Sequence, residues 1–318
     1  MKKCLISILS IVLFISCNEM QEGEIAYTIN EQDLIPEGIT YSEKSDYFFV
    51  SSILKTKIVQ INAVTCKSED FIPSTRFNRR FLGMIVDQKR NHLWACGNMK
   101  VDGKTYSSVF KFDIDLGKLI KEYNFPDTMQ QLLNDLVIDR LGNAYFTDSN
   151  NQHIYKINAI SDSIELFYEG NEIEYPNGIT ISPNEKYLYI ASYEKGIRVL
   201  NIKSREIVNE VNNTIDSKDL DGLKMYQNSL IGIQNYLDDI HNTKIVRYYL
   251  DHTQTQITRA KIIDQDNPHF DVPTTHVIVS NNLYCLATSQ LNNVDWEQYT
   301  IADPSKLHEV IILKYELN

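Results

Sequence analysis

Four residues of this 318-residue chain carry oxygen side chains at one phase of a repeat: Glu37, Asn134, Asn177 and Asp221. Three stand directly before a glycine, in Pro36-Glu37-Gly38, Pro176-Asn177-Gly178 and Asp221-Gly222, and Asn134 stands before Asp135. Leu82-Gly83 and Thr274-Thr275 hold the same phase in two further units. Carboxylate and amide oxygens are hard donors, suited to Ca²⁺, Mg²⁺ or Mn²⁺ rather than to soft or imidazole-seeking metals. Two of the four are anionic, which would nearly balance a divalent ion and leave it open to water or substrate. Taken singly, Asn-Gly, Asp-Gly and Pro-x-Gly are turn chemistry. Their shared phase, and a glutamate where turns do not favour one, argue for one site.

The elements that must bring them together are strands. The marks recur after 45, 52, 43, 44 and 53 residues, from Glu37 through Leu82, Asn134, Asn177 and Asp221 to Thr274. Periods of roughly 40–50 residues with several strands each mean propeller blades. After each mark come β-branched and aromatic runs such as Tyr47-Phe48-Phe49-Val50 and Tyr187-Leu188-Tyr189-Ile190, then a second run such as Ile58-Val59-Gln60-Ile61, with polar turns between. No stretch of 12 or more residues sustains a helical period. The expected fold is all-β, a six-bladed β-propeller over residues 24–318, in which equivalent positions converge on one axis. Its ring closes by pairing the last strand, His308 to Tyr315, into the same sheet as Glu24 to Ile29, because an open ring would expose sheet edges.

The N-terminus reads as an address. Lys2 and Lys3 precede an apolar run from Leu5 to Ile15, too short to span a bilayer and suited to a signal peptide over residues 1–16. Leu13-Phe14-Ile15-Ser16-Cys17 resembles a lipobox, which implies cleavage before Cys17, its lipidation, and a polar tether over 17–23. The domain is then expected outside the cytoplasm, held to a bacterial membrane through Cys17 alone. Losing Lys2 and Lys3 takes the net charge from −11 to −13, which argues against nucleic acid as a partner. Cys66, Cys96 and Cys285 remain without CxxC or CxxxH spacing, so a cysteine zinc site is not expected and small buried hydrophobes are.

The segments Pro36-Glu37-Gly38-Ile39, Leu133-Asn134-Asp135-Leu136-Val137-Ile138-Asp139, Tyr175-Pro176-Asn177-Gly178-Ile179 with Ile181-Ser182-Pro183, and Leu220-Asp221-Gly222-Leu223 resemble the regucalcin, gluconolactonase and luciferin-regenerating enzyme family. The resemblance covers roughly residues 24–318. It implies one divalent cation at the top of the channel, with Ca²⁺ expected first and Mg²⁺, Mn²⁺ or Zn²⁺ as alternatives. It maps metal ligands onto Glu37, Asn177 and Asp221, a substrate contact onto Asn134, and a catalytic base onto Asp221. Sugar lactonases of the family often carry an arginine two places before the Asn-Asp-Gly motif; that place is Leu132 here, and the motif's glycine is Leu136.

Further candidates stand near the channel by register. His276 opens the sixth unit's inner strand and is a second choice of general base. Tyr193 and Tyr236, with Leu132, are candidate substrate contacts, and Arg79 and Arg80 lie in rim loops where surface roles are the simpler reading. No nucleophile elbow, P-loop or GxGxxG occurs. The expectation is metal-assisted hydrolysis of a small lactone or ester. The rival is a non-catalytic binding propeller tethered to the membrane, which the loss of the arginine favours.

Overall fold

The computed structural model describes residues 20–125, 130–212, 214–236 and 239–317. The expected signal segment and Cys17 lie outside the described residues. Six four-stranded antiparallel sheets form the six blades of a propeller. Blade 1 runs Pro36–Ser42, Tyr47–Ser52, Ile58–Asn62 and Ser68–Ile72; blade 2 runs Arg80–Asp87, His92–Val101, Lys104–Asp113 and Lys118–Asn124. Blade 3 begins at Leu133–Ile138, blade 4 at Pro176–Ile181 and blade 5 at Leu220–Tyr226. Blade 6 takes His276–Val279, Asn282–Leu286 and Val310–Glu316 from one end of the chain and Glu24–Ile29 from the other. Its closing pairs run from Glu24 with Lys314 to Ile29 with Val310, as the sequence leads one to expect.

The alternation of each strand buries one face against the blade before and the other against the blade after. Each of the six interfaces holds an apolar cluster. Between blades 1 and 2 this is Phe49, Phe81, Phe110 and Phe112; between blades 4 and 5 it is Tyr189, Val199, Leu223 and Tyr248. Cys96 and Cys285 are buried in such clusters, whereas Cys66 is exposed, and all three are free thiols.

Five innermost strands share one irregularity at one place. In blades 1 to 5 the pairs Glu37-Gly38, Leu82-Gly83, Asn134-Asp135, Asn177-Gly178 and Asp221-Gly222 each oppose a single residue of the next strand, which makes each a β-bulge. A bulge turns one side chain out of the alternation, here toward the axis. The glycine that follows has its own reason. A Cβ on Gly38 would meet the Leu82 carbonyl oxygen at 2.4 Å, and one on Gly178 the Asp221 carbonyl oxygen at 2.4 Å. Backbone therefore packs on backbone from blade to blade at the level of the ligand column. The innermost strand pair of blade 6 has no such bulge; the hydroxyls of Thr274 and Thr275 both donate to the Glu37 carbonyl at 2.8 Å and close the tier.

An insertion between the second and third strands of blade 6 carries a small hairpin, Val294–Asp295 with Thr300–Ile301. Val294 packs on Ile35 and Ile53, which seats the hairpin at the bulge end of the channel.

Candidate metal and substrate cavity

Glu37, Asn134, Asn177 and Asp221 all line one cavity of about 710 Å³ at that end of the propeller. The four are buried, and each holds a side-chain oxygen out of contact with water and without a hydrogen-bond partner: Oε2 of Glu37, Oδ1 of Asn134, Oδ1 of Asn177 and Oδ1 of Asp221. An unpaired buried polar atom is costly, so four facing one cavity mark a place built for something that satisfies them. The other polar atoms of Asn134 and Asp221 are held. Asn134 donates from Nδ2 to Ser149 Oγ at 3.1 Å, and Ser149 Oγ donates in turn to the Pro176 carbonyl at 2.7 Å. Asn235 donates from Nδ2 to Asp221 Oδ2 at 2.7 Å. Among the described residues no three His, Cys, Asp or Glu side chains gather to hold an ion by themselves. The donor set is two carboxylates with two amides, which fits a hard divalent cation.

Electrostatics agree with that fit. Burial raises the pKa of Asp221 to about 7; the charge of Asp135 also raises it, while the amides of Asn235 and Asn177 pull it down. Burial, then the charges of Asp221 and Asp135, push Glu37 well above the usual carboxylate range, and Lys224 lowers it. Two desolvated carboxylates facing one space resist ionising together; a cation between them reverses that.

One step further along the channel the character changes. Lys224 Nζ pairs with Asp135 Oδ2 at 2.9 Å, and Asp135 Oδ2 also accepts from the Ile179 amide at 3.2 Å. Asp135 stands where the other bulges have glycine, and its carboxylate thus ties blades 3, 4 and 5 together. His276 is fully buried away from the cavity lining, with both ring nitrogens unpartnered and its pKa pushed down to about 3 by burial and the Lys224 charge. The innermost strand of blade 6 lacks the bulge that turns its counterparts toward the cavity.

Leu132 and Tyr193 line the cavity as expected; Tyr236 does not. Its hydroxyl instead donates to Asp216 Oδ2 at 3.1 Å. Tyr193 donates to the Asn235 carbonyl at 3.1 Å and so steadies the residue that holds Asp221. Arg79 turns away to Glu122 at 3.4 Å, whereas Arg80 faces the cavity. Sequence reasoning missed Asn98, Lys100, Tyr175, Asn235, Trp296 and Tyr299, all of which line the space. Lys100 comes from the long second strand of blade 2, and Trp296 and Tyr299 from the blade 6 hairpin, neither of which follows the repeat.

The fold and this oxygen set define a six-bladed propeller with a polar cavity at the bulge end of its channel. Residues 35–229 match the model of the SMP-30/gluconolactonase/LRE-like region, and the chain belongs to that family. The structure is similar to regucalcin, a calcium-binding protein from Agrobacterium tumefaciens, at 13% identity and a TM-score of 0.59, covering 92% of this chain and 96% of that one. It is also similar to the major Malassezia sympodialis allergen Mala s 1, at 13% identity and a TM-score of 0.67, covering 91% and 94%. Virginiamycin B lyase from Staphylococcus aureus matches at 19% identity and a TM-score of 0.59, over 82% and 80%. At these identities the likeness concerns the fold. No curated protein matches the chain.

Proposed function

We propose that this protein is a divalent-metal-dependent hydrolase of a lactone or ester, with the ion held by Glu37, Asn177 and Asp221 and with Asn134 beside it. The observation that carries this reading is the set of four buried, partnerless oxygens on one cavity. The metal, Ca²⁺ first and otherwise Mg²⁺, Mn²⁺ or Zn²⁺, supplies a Lewis acid that polarises the substrate carbonyl. Asp221 lines the cavity and is fixed by Asn235 at Oδ2, with Oδ1 unpartnered, which supports it as the group that takes a proton from water in this reading. Asn134, with Nδ2 donating to Ser149 and Oδ1 unpartnered, offers an acceptor that suits a substrate hydroxyl or water. Leu132, Tyr175 and Tyr193 line the cavity and exclude water from the bond to be broken. His276, buried off the cavity, has no part in this reading.

Leu132 favours the second reading, a non-catalytic binding propeller, because no basic group stands there to hold substrate hydroxyls. Lipidation at Cys17 and an extracytoplasmic, membrane-tethered location remain part of the proposal, with no nucleic-acid partner. The inner strands begin at the cavity end, and blade 6 alternates direction out to Glu24–Ile29, so Glu24 lies at the opposite end. A tether there would turn the cavity away from the membrane.

The test is hydrolysis of gluconolactone, an alkyl γ-lactone and an aryl ester by protein loaded with Ca²⁺, Mg²⁺ or Mn²⁺, with Glu37→Gln and Asp221→Asn as controls. Turnover that depends on the ion and on both carboxylates is expected. Turnover that survives both substitutions sinks the site, and an ion bound without any turnover moves the reading to the binding propeller.

A further inference from the structure

We infer that Arg80 is an anion-recognition residue at the cavity rim, and that the ligand of this cavity carries a carboxylate. The inference rests on reading the cavity as a substrate site and names a chemical class for what enters it.

Arg80 opens the innermost strand of blade 2, two places before the bulge residue Leu82. That is the column Leu132 occupies in blade 3, so the ring keeps a basic group at this level but one blade away from the Asn134 motif. The Arg80 guanidinium carbon lies 3.3 Å from the centroid of the Tyr299 ring. Tyr299 is itself set edge-on against Trp296, with centroids 6.1 Å apart. Stacking on a ring fixes a guanidinium in place and leaves its N–H edge available for a two-pronged bond to a carboxylate. Among the described residues no carboxylate pairs with Arg80, whereas its neighbour Arg79 reaches Glu122. Burial lowers the pKa of Arg80, the sign of a partly desolvated cation that lacks an anion. Lys100 stands on the same wall, with Nζ 5.8 Å from the Tyr299 ring.

The cavity is therefore two-ended. Its floor is anionic and suited to a cation; its rim is cationic and aromatic. A ligand with a carboxylate at one end and a carbonyl at the other would be oriented by both, with Trp296, Tyr299 and Tyr175 taking an apolar or aromatic body between.

The protein carries its own reporter. Of its two tryptophans, Trp94 is buried in the core and Trp296 is half exposed at the rim. Tryptophan fluorescence, in EDTA and again in excess Ca²⁺, is titrated with phenylacetate and with phenylacetamide. These two differ in charge at one carbonyl carbon. The wild type in EDTA is expected to bind phenylacetate about tenfold or more tightly than the amide, the scale of one charge-assisted hydrogen-bonded pair. Arg80→Met and Arg80→Gln should each abolish the preference; far-ultraviolet circular dichroism confirms the fold, and either folded variant decides the matter. Equal affinity for acid and amide in the wild type overturns the inference, and so does a preference that persists in a folded Arg80 variant. A preference seen only with Ca²⁺ and unchanged by Arg80→Met would assign the carboxylate to the ion instead. None of these readouts needs turnover, so a protein that hydrolyses nothing can still pass, and an active hydrolase can still fail.

Discussion

Asn235 donates to Oδ2 of Asp221 at 2.7 Å and leaves Oδ1 of that carboxylate buried without a hydrogen-bond partner. One side of the acid is thus committed to the protein and the other kept for a ligand. Asn235 follows the second strand of blade 5, is itself held by Tyr193, and also donates to the Pro273 carbonyl at 3.3 Å. Replacing it with Ala should free Asp221 to rotate. The expected result is at least about tenfold weaker Ca²⁺ binding by calorimetry, within the range for removing a residue that orients a ligand. Unchanged affinity would show that Asp221 is held by packing alone.

An ion that binds only the folded state adds about 2.7 kcal/mol at a hundredfold excess over its Kd. EDTA is therefore expected to lower the melting temperature of the wild type and to leave that of Asp221→Ala unmoved. Superimposable wild-type melting curves with and without chelator would make the four oxygens turn residues and nothing more.

The ion should remove the pH dependence that its absence creates. Asp221 in the folded, metal-free protein titrates near 7, above its ordinary value of 3.8, and Glu37 is raised in the same direction. A carboxyl raised on folding stabilises the fold below its ordinary pKa, and that stability is lost as pH rises through the folded value. In EDTA the melting temperature should therefore decline between about pH 4 and pH 7, less so in Asp221→Asn. In excess Ca²⁺ the ionised forms are the ones bound, so that decline should vanish: stability should rise only around pH 4, where the unfolded carboxyls titrate, and stay level up to about pH 7. Parallel profiles in the two conditions would argue against an ion between these groups.

Gly178→Ala asks whether the bulge is built on close backbone contact. The added methyl would lie 2.4 Å from the Asp221 carbonyl oxygen and 2.6 Å from the Leu223 amide nitrogen, neither of them a flexible group. Overpacking of this kind costs about 1–3 kcal/mol. Since it pushes on the backbone of Asp221, chelator sensitivity should fall together with stability. A variant as stable and as chelator-sensitive as the wild type would show that the bulge yields without consequence.

Leu132 sets what the wall can refuse. An apolar wall discriminates weakly, whereas a site that hydrogen-bonds hydroxyls rejects ligands without them. Alkyl lactones or aryl esters should be turned over more efficiently than gluconolactone, and Leu132→Arg should shift the ratio of kcat/KM toward gluconolactone by about tenfold. Efficient gluconolactone turnover by the wild type would refute the specificity argument.

The ligand column was readable because a bulge imposes two constraints at once. It needs a residue that can face the axis and, directly after it, one whose place lies tight against the next blade, which is glycine in four of the five bulges and Asp135 in blade 3, so oxygen-then-glycine recurs in three blades. Where the constraint lapses, reading fails. The innermost strand of blade 6 has no bulge, and His276, aligned by count alone, is buried opposite Cys285 and outside the cavity lining. Tyr236 sits close to Tyr193 in space yet turns to Asp216. Trp296 and Tyr299 lie in an insertion that has no counterpart in the other blades, so no periodic argument reaches them. Arg80 was visible in the column of Leu132, but only its stack on Tyr299 and its missing acid distinguish it from an ordinary surface arginine.

The strand that leaves the ribosome first among the described sheets is also the last to find its place. Glu24–Ile29 has its partner in Val310–Glu316, near the other end of the chain, so blade 6 stays one strand short until nearly everything else has been made. Until then the flank of Asn282–Leu286 has no neighbour and the early strand no sheet, the arrangement most prone to pairing with another molecule. Ring closure thus acts as a completeness check. A chain cut short between Gln265 and Val310 keeps the strands of the first five blades but lacks the strand that closes the sixth.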